Sequence, residues 1–200
     1  MFTGIVEGTA TVEVFEERET AWRLVLDCRT IAEGVAIGDS VACNGCCLTV
    51  VERQGTRLHF DLLEESIRLT NLQDISAGSP VNLERSLAAN ARLGGHFVTG
   101  HIDGLGTIEV FEPRGKNHYL KVSAPAELLV YSAYKGSIAL DGISLTIAED
   151  LPDGIAVWLI PHTIAVTNLR DKKPGDRINL EFDLLAKYAA KILRKERNSQ

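Results

Sequence analysis

The sequence predicts an all-β fold of two tandem antiparallel barrels related by internal duplication, followed by a C-terminal α-helix. Three observations predict it. Blocks of the first half return in the same order 96 or 97 residues later. Each half is a series of short β-rich runs separated by Gly, Asp and Asn turn signals. Only the last stretch of the chain spaces its apolar residues as a helix does.

The duplication sets the domain count, because a repeated unit is a folding unit copied whole. Residues 2–15, FTGIVEGTATVEVF, return as VTGHIDGLGTIEVF at 98–111, with Thr3, Gly4, Gly8, Thr11, Glu13, Val14 and Phe15 recurring 96 positions on. SVACNGCCLTV, from Ser40 to Val50, returns as SIALDGISLTI, from Ser137 to Ile147, keeping Ser40, Ala42, Gly45, Leu48 and Thr49 at an offset of 97. A third block aligns Thr70, Asn71, Leu72, Asp74, Gly78, Asn82, Leu83 and Glu84 with Thr167, Asn168, Leu169, Asp171, Gly175, Asn179, Leu180 and Glu181. Two domains follow, at 1–96 and 97–183, with 184–200 left as a tail.

Within the first half the β-rich runs are TATVEVF, WRLVLDC, SVACNGCCLTV, RLHFDLL and PVNLERS. A unit of under a hundred residues built this way is stabilised by closing its sheet, which removes exposed edges without a large core. One short helix per half is expected, from Leu62 to Leu69 and from Pro125 to Ala133. In the tail, Leu184, Tyr188 and Ile192 with Leu185, Ala189 and Leu193 form one apolar stripe. Asp183 stands where an N-cap belongs, and Lys191, Arg194 and Lys195 stand where the helix dipole favours cations. The stripe packs either on its own barrel or on neighbouring subunits.

Composition removes several classes of function. Hydrophobic residues make up 45% and charged residues 24%, the balance of an ordinary globular chain. No uncharged apolar run approaches the length of a membrane span, and MFTGIVEGTA lacks the leader of a secreted protein, so a cytoplasmic location is expected. With a net charge of −6 and basic residues concentrated only in KILRKER, nucleic acid is not an expected partner. Three of the four cysteines crowd into CNGCC, which suits neither a disulfide framework nor a zinc site lacking a second ligand pair. A reducing compartment and no metal are expected.

Four strings, MFTGIVEG, NGCCLTV, LGGHFVTGHIDG and YKGSIALDGISLT, resemble the riboflavin synthase family, in order and on the correct halves. The likeness covers nearly the whole chain. It implies six-stranded Greek-key barrels, a homotrimer formed through the C-terminal helix, and an active site between the N-barrel of one subunit and the C-barrel of the next. The implied reaction is a dismutation of two 6,7-dimethyl-8-ribityllumazine molecules into riboflavin and 5-amino-6-ribitylaminouracil, with no dissociable cofactor. Association with lumazine synthase is left open by the likeness.

Such chemistry suits a duplicated protein, since two related pockets hold two copies of one substrate for mutual attack. Gly4, Ile5 and Val6, with Gly100, His101 and Ile102, are glycine-flanked segments able to meet ring amides and ribityl hydroxyls with main-chain groups. The resemblance carries substrate contacts onto Cys47, Leu48 and Thr49 and onto Ser144, Leu145 and Thr146, and Lys135 is expected to meet a ribityl hydroxyl or a developing negative charge. It also carries them onto Asp61, Leu62, Leu63, Glu64, Glu65 and Ser66, and onto the matching Ile160, Pro161, His162, Thr163, Ile164 and Ala165.

The donor and acceptor roles differ, so the informative places are those where the repeats disagree: Cys47 against Ser144, Ile5 against His101, Gly38 against Lys135 and Glu65 against His162. His101 is the expected general acid/base, because imidazole titrates near neutrality. Cys47 either adds to or stabilises the ring as thiolate, or shapes its pocket as a small polarizable side chain. Ser40, Ser144 and Thr146 offer hydroxyls for proton relay. Asp183 is the helix cap or a carboxylate bordering the site. Two rivals share parts of this pattern. A lumazine- or flavin-binding protein of the same fold would bind without turnover; a flavin reductase would need a dinucleotide fingerprint that the chain lacks.

Overall fold

A computed structural model describes residues 1–197. The first half forms β1 (Gly8–Glu17), β2 (Trp22–Asp27), β3 (Ser40–Cys43), β4 (Cys46–Gln54), β5 (Arg57–Leu62) and β6 (Pro80–Arg85). The second forms β7 (Gly104–Arg114), β8 (Asn117–Ser123), β9 (Ser137–Leu140), β10 (Ile143–Leu151), β11 (Gly154–Leu159) and β12 (Arg177–Phe182). The first set closes in the order β1-β2-β5-β4-β3-β6 and the second in the matching order β7-β8-β11-β10-β9-β12. In each, two hairpins run through three consecutive strands, and the strand before them lies beside the last, which is the Greek key. The fold is the expected all-β pair of six-stranded antiparallel barrels with a C-terminal helix.

SVACNGCCLTV is one run in the sequence and two strands in the structure. Asn44 and Gly45 have φ of 47° and 81°, and Asp141 and Gly142 have 46° and 77°. Two successive positive φ values make the type I′ turn that the Asn-Gly and Asp-Gly pairs favour, and its twist matches the strands it joins. The strand pairing slips by one residue between Val12 and Val14 and between Val50 and Glu52, and again between Ile108 and Val110 and between Ile147 and Glu149. Bulges of this kind add the local twist that lets a short sheet close. Alternate residues then fill each lumen: Val12, Leu24, Leu26, Val50, Leu58 and Phe60 in the N-barrel, and Ile108, Leu120, Val122, Ile147, Ile155 and Val157 in the C-barrel.

One helix expectation needs correction. α1 (Glu64–Arg68) lies inside the predicted Leu62–Leu69, with Leu62 ending β5 in the core. Pro125 to Ala133 is not a helix. Its amides bond three residues back, Leu128 to Pro125 and Tyr131 to Leu128, giving turns and a 3₁₀ turn at Leu129–Tyr131. That shape lays Leu128, Leu129 and Tyr131 against the C-barrel core, which a straight helix stripe would not do. The second-half helix is α2 (Pro161–Val166), starting 97 residues after α1 with proline in its first turn, where its missing N–H costs nothing. The tail forms α3 (Leu184–Arg197). Asp183 caps it, its Oδ1 accepting the Leu185 N–H at 2.9 Å. No helix among the described residues is long and apolar enough to cross a membrane.

The barrels meet across a pseudo-twofold axis lined by buried amides. Asn82 Nδ2 donates to the Asp141 carbonyl at 3.0 Å, and Asn179 Nδ2 to the Asn44 carbonyl at 2.8 Å. Asn179 Oδ1 accepts the Asn71 N–H and Asn82 Oδ1 the Asn168 N–H, each at 2.7 Å. The symmetry fails at one pair. Asn44 faces Asp141, which is wholly buried and accepts from Asn71 Nδ2, Asn168 Nδ2 and the Asn179 N–H. Burial raises the Asp141 pKa above the ordinary aspartate range, opposed by Lys172 and these hydrogen bonds. Lys172 Nζ stands 3.6 Å from the carboxylate, and its counterpart in the first half is Ile75. Lys172→Ile is therefore expected to cost about 3 kcal/mol, the scale for stranding a buried charge. Adding Asp141→Asn should recover most of it, because Asn44 and Ile75 already hold the matching places. Urea unfolding of the two single variants and the double variant decides the matter; a double variant no better than Lys172→Ile rejects the coupling.

Candidate active sites on the outer barrel walls

Strand alternation places the candidate side chains outside the barrels. In β4, Cys46, Leu48 and Val50 are buried in the core, so Cys47 and Thr49 face outward; in β10, Ile143 and Ile147 are inward, and Ser144 and Thr146 outward. Ser40 pairs with Thr49 and Ala42 with Cys47, so Ser40 shares the outer face of the N-barrel. Leu48 and Leu62 belong to the N-barrel core, and any part they take in binding is through the backbone.

The segment before each barrel crosses to the other. Phe2 and Val98 form an antiparallel bridge, their amides exchanging bonds of 2.7 and 3.2 Å. Beyond it the Gly4 carbonyl accepts the Ser144 N–H at 2.7 Å, and the Gly100 carbonyl accepts the Cys47 N–H at 2.9 Å. Val6 packs on the C-barrel core and Ile102 on the N-barrel core. A Cβ on Gly4 would lie 2.6 Å from Ser144 Cβ, and one on Gly100 would lie 2.5 Å from Cys47 Cβ, with φ of +77° and +82°. Only glycine permits that approach.

Two outer-wall clusters result, each built from both halves. The N-barrel wall brings Cys47 and Thr49 together with Gly100, His101 and Ile102, and the C-barrel wall brings Ser144 and Thr146 together with Gly4, Ile5 and Val6. Asp61 to Ser66 connect β5 to α1, and Ile160 to Ala165 connect β11 to α2 at the matching place. Asp61 is held by Arg23 at 2.7 Å, while Leu63 and Ile160 are exposed. Glu64, Glu65, Pro161, His162 and Ala165 are also exposed, with Ser66, Thr163, Ile164 and Leu145 partly buried. His101 is exposed, and its N–H donates to Thr99 Oγ1 at 3.3 Å. Lys135 takes φ of 64° where the first repeat has Gly38 at 93°, and the amides of both make the same bond, to Ile147 and Val50. A lysine held in the left-handed region is strained, and its Nζ lies 5.0 Å from the Tyr134 ring centroid.

One residue escapes the sequence reading. His96 is buried, and its Nδ1 lies 2.8 Å from Ser144 Oγ. Its Nε2 is buried with no hydrogen-bond partner among the described residues. Burial holds the imidazole pKa below the ordinary 6.5, opposed by the charge of Asp183. Gly95 makes this possible, since a Cβ there would meet the Thr3 carbonyl at 2.0 Å and Ser144 Oγ at 2.9 Å. The repeat comparison gave no signal for His96, because it lies in the connector between the matched blocks.

Two closed six-stranded barrels with repeat-related outer walls define a duplicated β-barrel protein. The lumazine binding domain family matches residues 3–86 and 99–183, one domain per barrel. Riboflavin synthase of Bacillus subtilis (strain 168) is 42% identical over 98% of this chain and 91% of its own length. Riboflavin synthase of Escherichia coli (strain K12) is 42% identical over 92% and 87%. A crystal structure of LumP complexed with 6,7-dimethyl-8-(1'-D-ribityl) lumazine superimposes with a TM-score of 0.81 at 27% identity, covering 90% of this chain and 98% of that one. The LumP complex with riboflavin gives 0.83 at the same identity. The chain belongs to the riboflavin synthase family.

The cysteines separate by environment. Burial pushes the Cys28 and Cys46 thiols up to about 12 and the Cys43 thiol well above its usual range, whereas Cys47 is only half-buried. Brief alkylation of native protein should therefore modify Cys47 first, as read by peptide mass spectrometry. Earlier modification of Cys43 or Cys46 would contradict the outward placement of Cys47.

Proposed function

We propose that this chain is the riboflavin synthase of its source, converting two 6,7-dimethyl-8-ribityllumazine molecules into riboflavin and 5-amino-6-ribitylaminouracil. The observation that carries the reading is the pair of repeat-related outer walls with unlike polar groups, Cys47 on one and Ser144 with His96 on the other. One lumazine binds in each, through Gly100 to Ile102, Cys47 to Thr49 and Asp61 to Ser66 on the N-barrel, and through Gly4 to Val6, Ser144 to Thr146 and Ile160 to Ala165 on the C-barrel. Four carbons pass from one lumazine to the other, so the exchange is redox-balanced within the substrate pair.

The first chemical need is loss of a proton from a ring methyl. Neutral His96, hydrogen-bonded through Nδ1 to Ser144, takes it by way of the Ser144 hydroxyl and holds it for return. His101 and Cys47 serve the other ring, with Ser40, Thr146 and Lys135 holding hydroxyls and developing charge. Because both pockets open outward, a productive pair forms when the N-barrel of one chain faces the C-barrel of another. The face of α3 bearing Leu185, Tyr188, Ile192 and Leu193 is exposed, and we assign it to a homotrimer contact. The free cysteines suit a cytoplasmic enzyme.

Purified protein given only 6,7-dimethyl-8-ribityllumazine should release riboflavin and the uracil in equal amounts. Tight binding without turnover would leave a lumazine-binding protein instead. His96→Ala should lower kcat about a hundredfold with KM within about threefold, the mark of a group acting on the transition state. With the His96 pKa below 6.5, its base form persists into mild acid. The acid limb of kcat should thus lie below pH 6.5 and vanish in His96→Ala; a limb unchanged by that substitution rejects the role. Removing residues after Asp183 should lower the sedimenting mass from trimer to monomer, and an unchanged mass dismisses the helix contact.

A further inference from the structure

Glu84 in β6 and Glu181 in β12 are carboxylates at matching repeat positions, 6% and 1% exposed. Burying a carboxylate is expensive, and both are bound by main-chain and hydroxyl donors. Each is saturated by one chain segment. Glu84 Oε1 accepts the Thr3 N–H and the Thr3 hydroxyl, each at 2.7 Å, and Oε2 accepts the Gly4 N–H at 2.9 Å. Glu181 Oε1 accepts the Thr99 N–H and hydroxyl, each at 2.6 Å, and Oε2 accepts the Gly100 N–H at 3.0 Å. The threonine hydroxyl then accepts the next-but-one amide, that of Ile5 at 3.2 Å or His101 at 3.3 Å.

These are the segments that cross between barrels. Glu84 belongs to the N-barrel, yet the Gly4 it grips bonds to Ser144 on the C-barrel wall; Glu181 belongs to the C-barrel, yet its Gly100 bonds to Cys47 on the N-barrel wall. We infer that Glu84 and Glu181 are crosswise positioning residues, each setting the pocket on the barrel opposite its own. Three bonds on one carboxylate fix the height and direction of the glycine peptide, and the threonine hydroxyl passes that direction to Ile5 or His101. A carboxylate suits the task because it accepts at both oxygens; a glutamine would turn an N–H donor toward a donor. A tie that merely held the fold together would act on both pockets alike.

The inference rests on the ligand-binding reading only for its ligated arm, and Cys47 supplies a readout free of ligand. Without ligand, Glu181→Gln should speed iodoacetamide alkylation of Cys47 several-fold by releasing the Gly100 carbonyl, while Glu84→Gln leaves the rate within twofold. With riboflavin as probe, Glu181→Gln should raise the concentration that half-protects Cys47 about tenfold, one charged hydrogen bond's worth. In a Cys47→Ser/Ser144→Cys background the pattern should reverse, with Glu84→Gln the damaging change for the introduced thiol. Equal effects of both variants on one thiol, effects on the pocket of the same barrel, or no effect would overturn the assignment. If the glutamine variants fail to fold, Thr99→Val and Thr3→Val carry the same crosswise comparison, with Thr99→Ser and Thr3→Ser expected to restore the parent values. Absence of riboflavin protection in the unaltered protein would sink the binding reading, while the ligand-free rates still decide the crosswise one.

Discussion

The contact on which the molecule depends is backbone against backbone at the pseudo-twofold axis. A Cβ on Gly45 would stand 2.7 Å from the Gly142 nitrogen, and the reverse holds for Gly142. The two hairpin turns therefore meet where no side chain fits, and their peptide groups need partners away from water. Asn44, Asn71, Asn82, Asn168 and Asn179, with Asp141, supply them from both halves. A polar network so complete specifies one relative placement of the barrels, since a shift would strand several buried donors at once.

With the barrels locked in that placement, the crossing of the leading segments follows. Phe2 and Val98 sit with Ala42, Ala139 and Cys47 in a small apolar cluster between the barrels, and each segment runs on to the far wall. Neither outer wall is complete without the segment that crosses to it from the other half. Near-symmetry thus gives two like outer walls, and the few mismatches give them different side chains. Asp141 with Lys172, against Asn44 with Ile75, shows the same drift in a place far from reaction: a charge introduced in one copy, with a cation gained in the same copy.

Much of the fold was legible because duplication and turn chemistry leave strong marks. The offset of 97 located repeats, and the Asn-Gly and Asp-Gly pairs marked the hairpins inside runs that read as single strands. The misplaced second-half helix shows where local pattern misleads: the apolar residues near Leu129 serve the barrel wall, and the repeat offset from Glu64 pointed to Pro161 instead. Much of the candidate site could be named but not arranged. Gly4 and Gly100 stand out in the repeat, yet nothing in their spacing says that each bonds to the opposite barrel. His96 was hidden for a plainer reason, lying in the connector between repeats and gaining its meaning only from Ser144, 48 residues away.

Candidate site residues on the outer walls, as proposed, separate two demands that many barrel proteins must reconcile. The lumens are packed solid with aliphatic and aromatic side chains, from Leu24 and Phe60 to Leu120 and Phe182. A ligand that arrives and leaves on the outside never has to part those side chains or admit water among them. Exchange can then be fast while the interior stays as unyielding as any structural core. Changes of shape inside a barrel, such as the swap of Phe60 for Val157 between copies, can accumulate without passing through the chemistry at all.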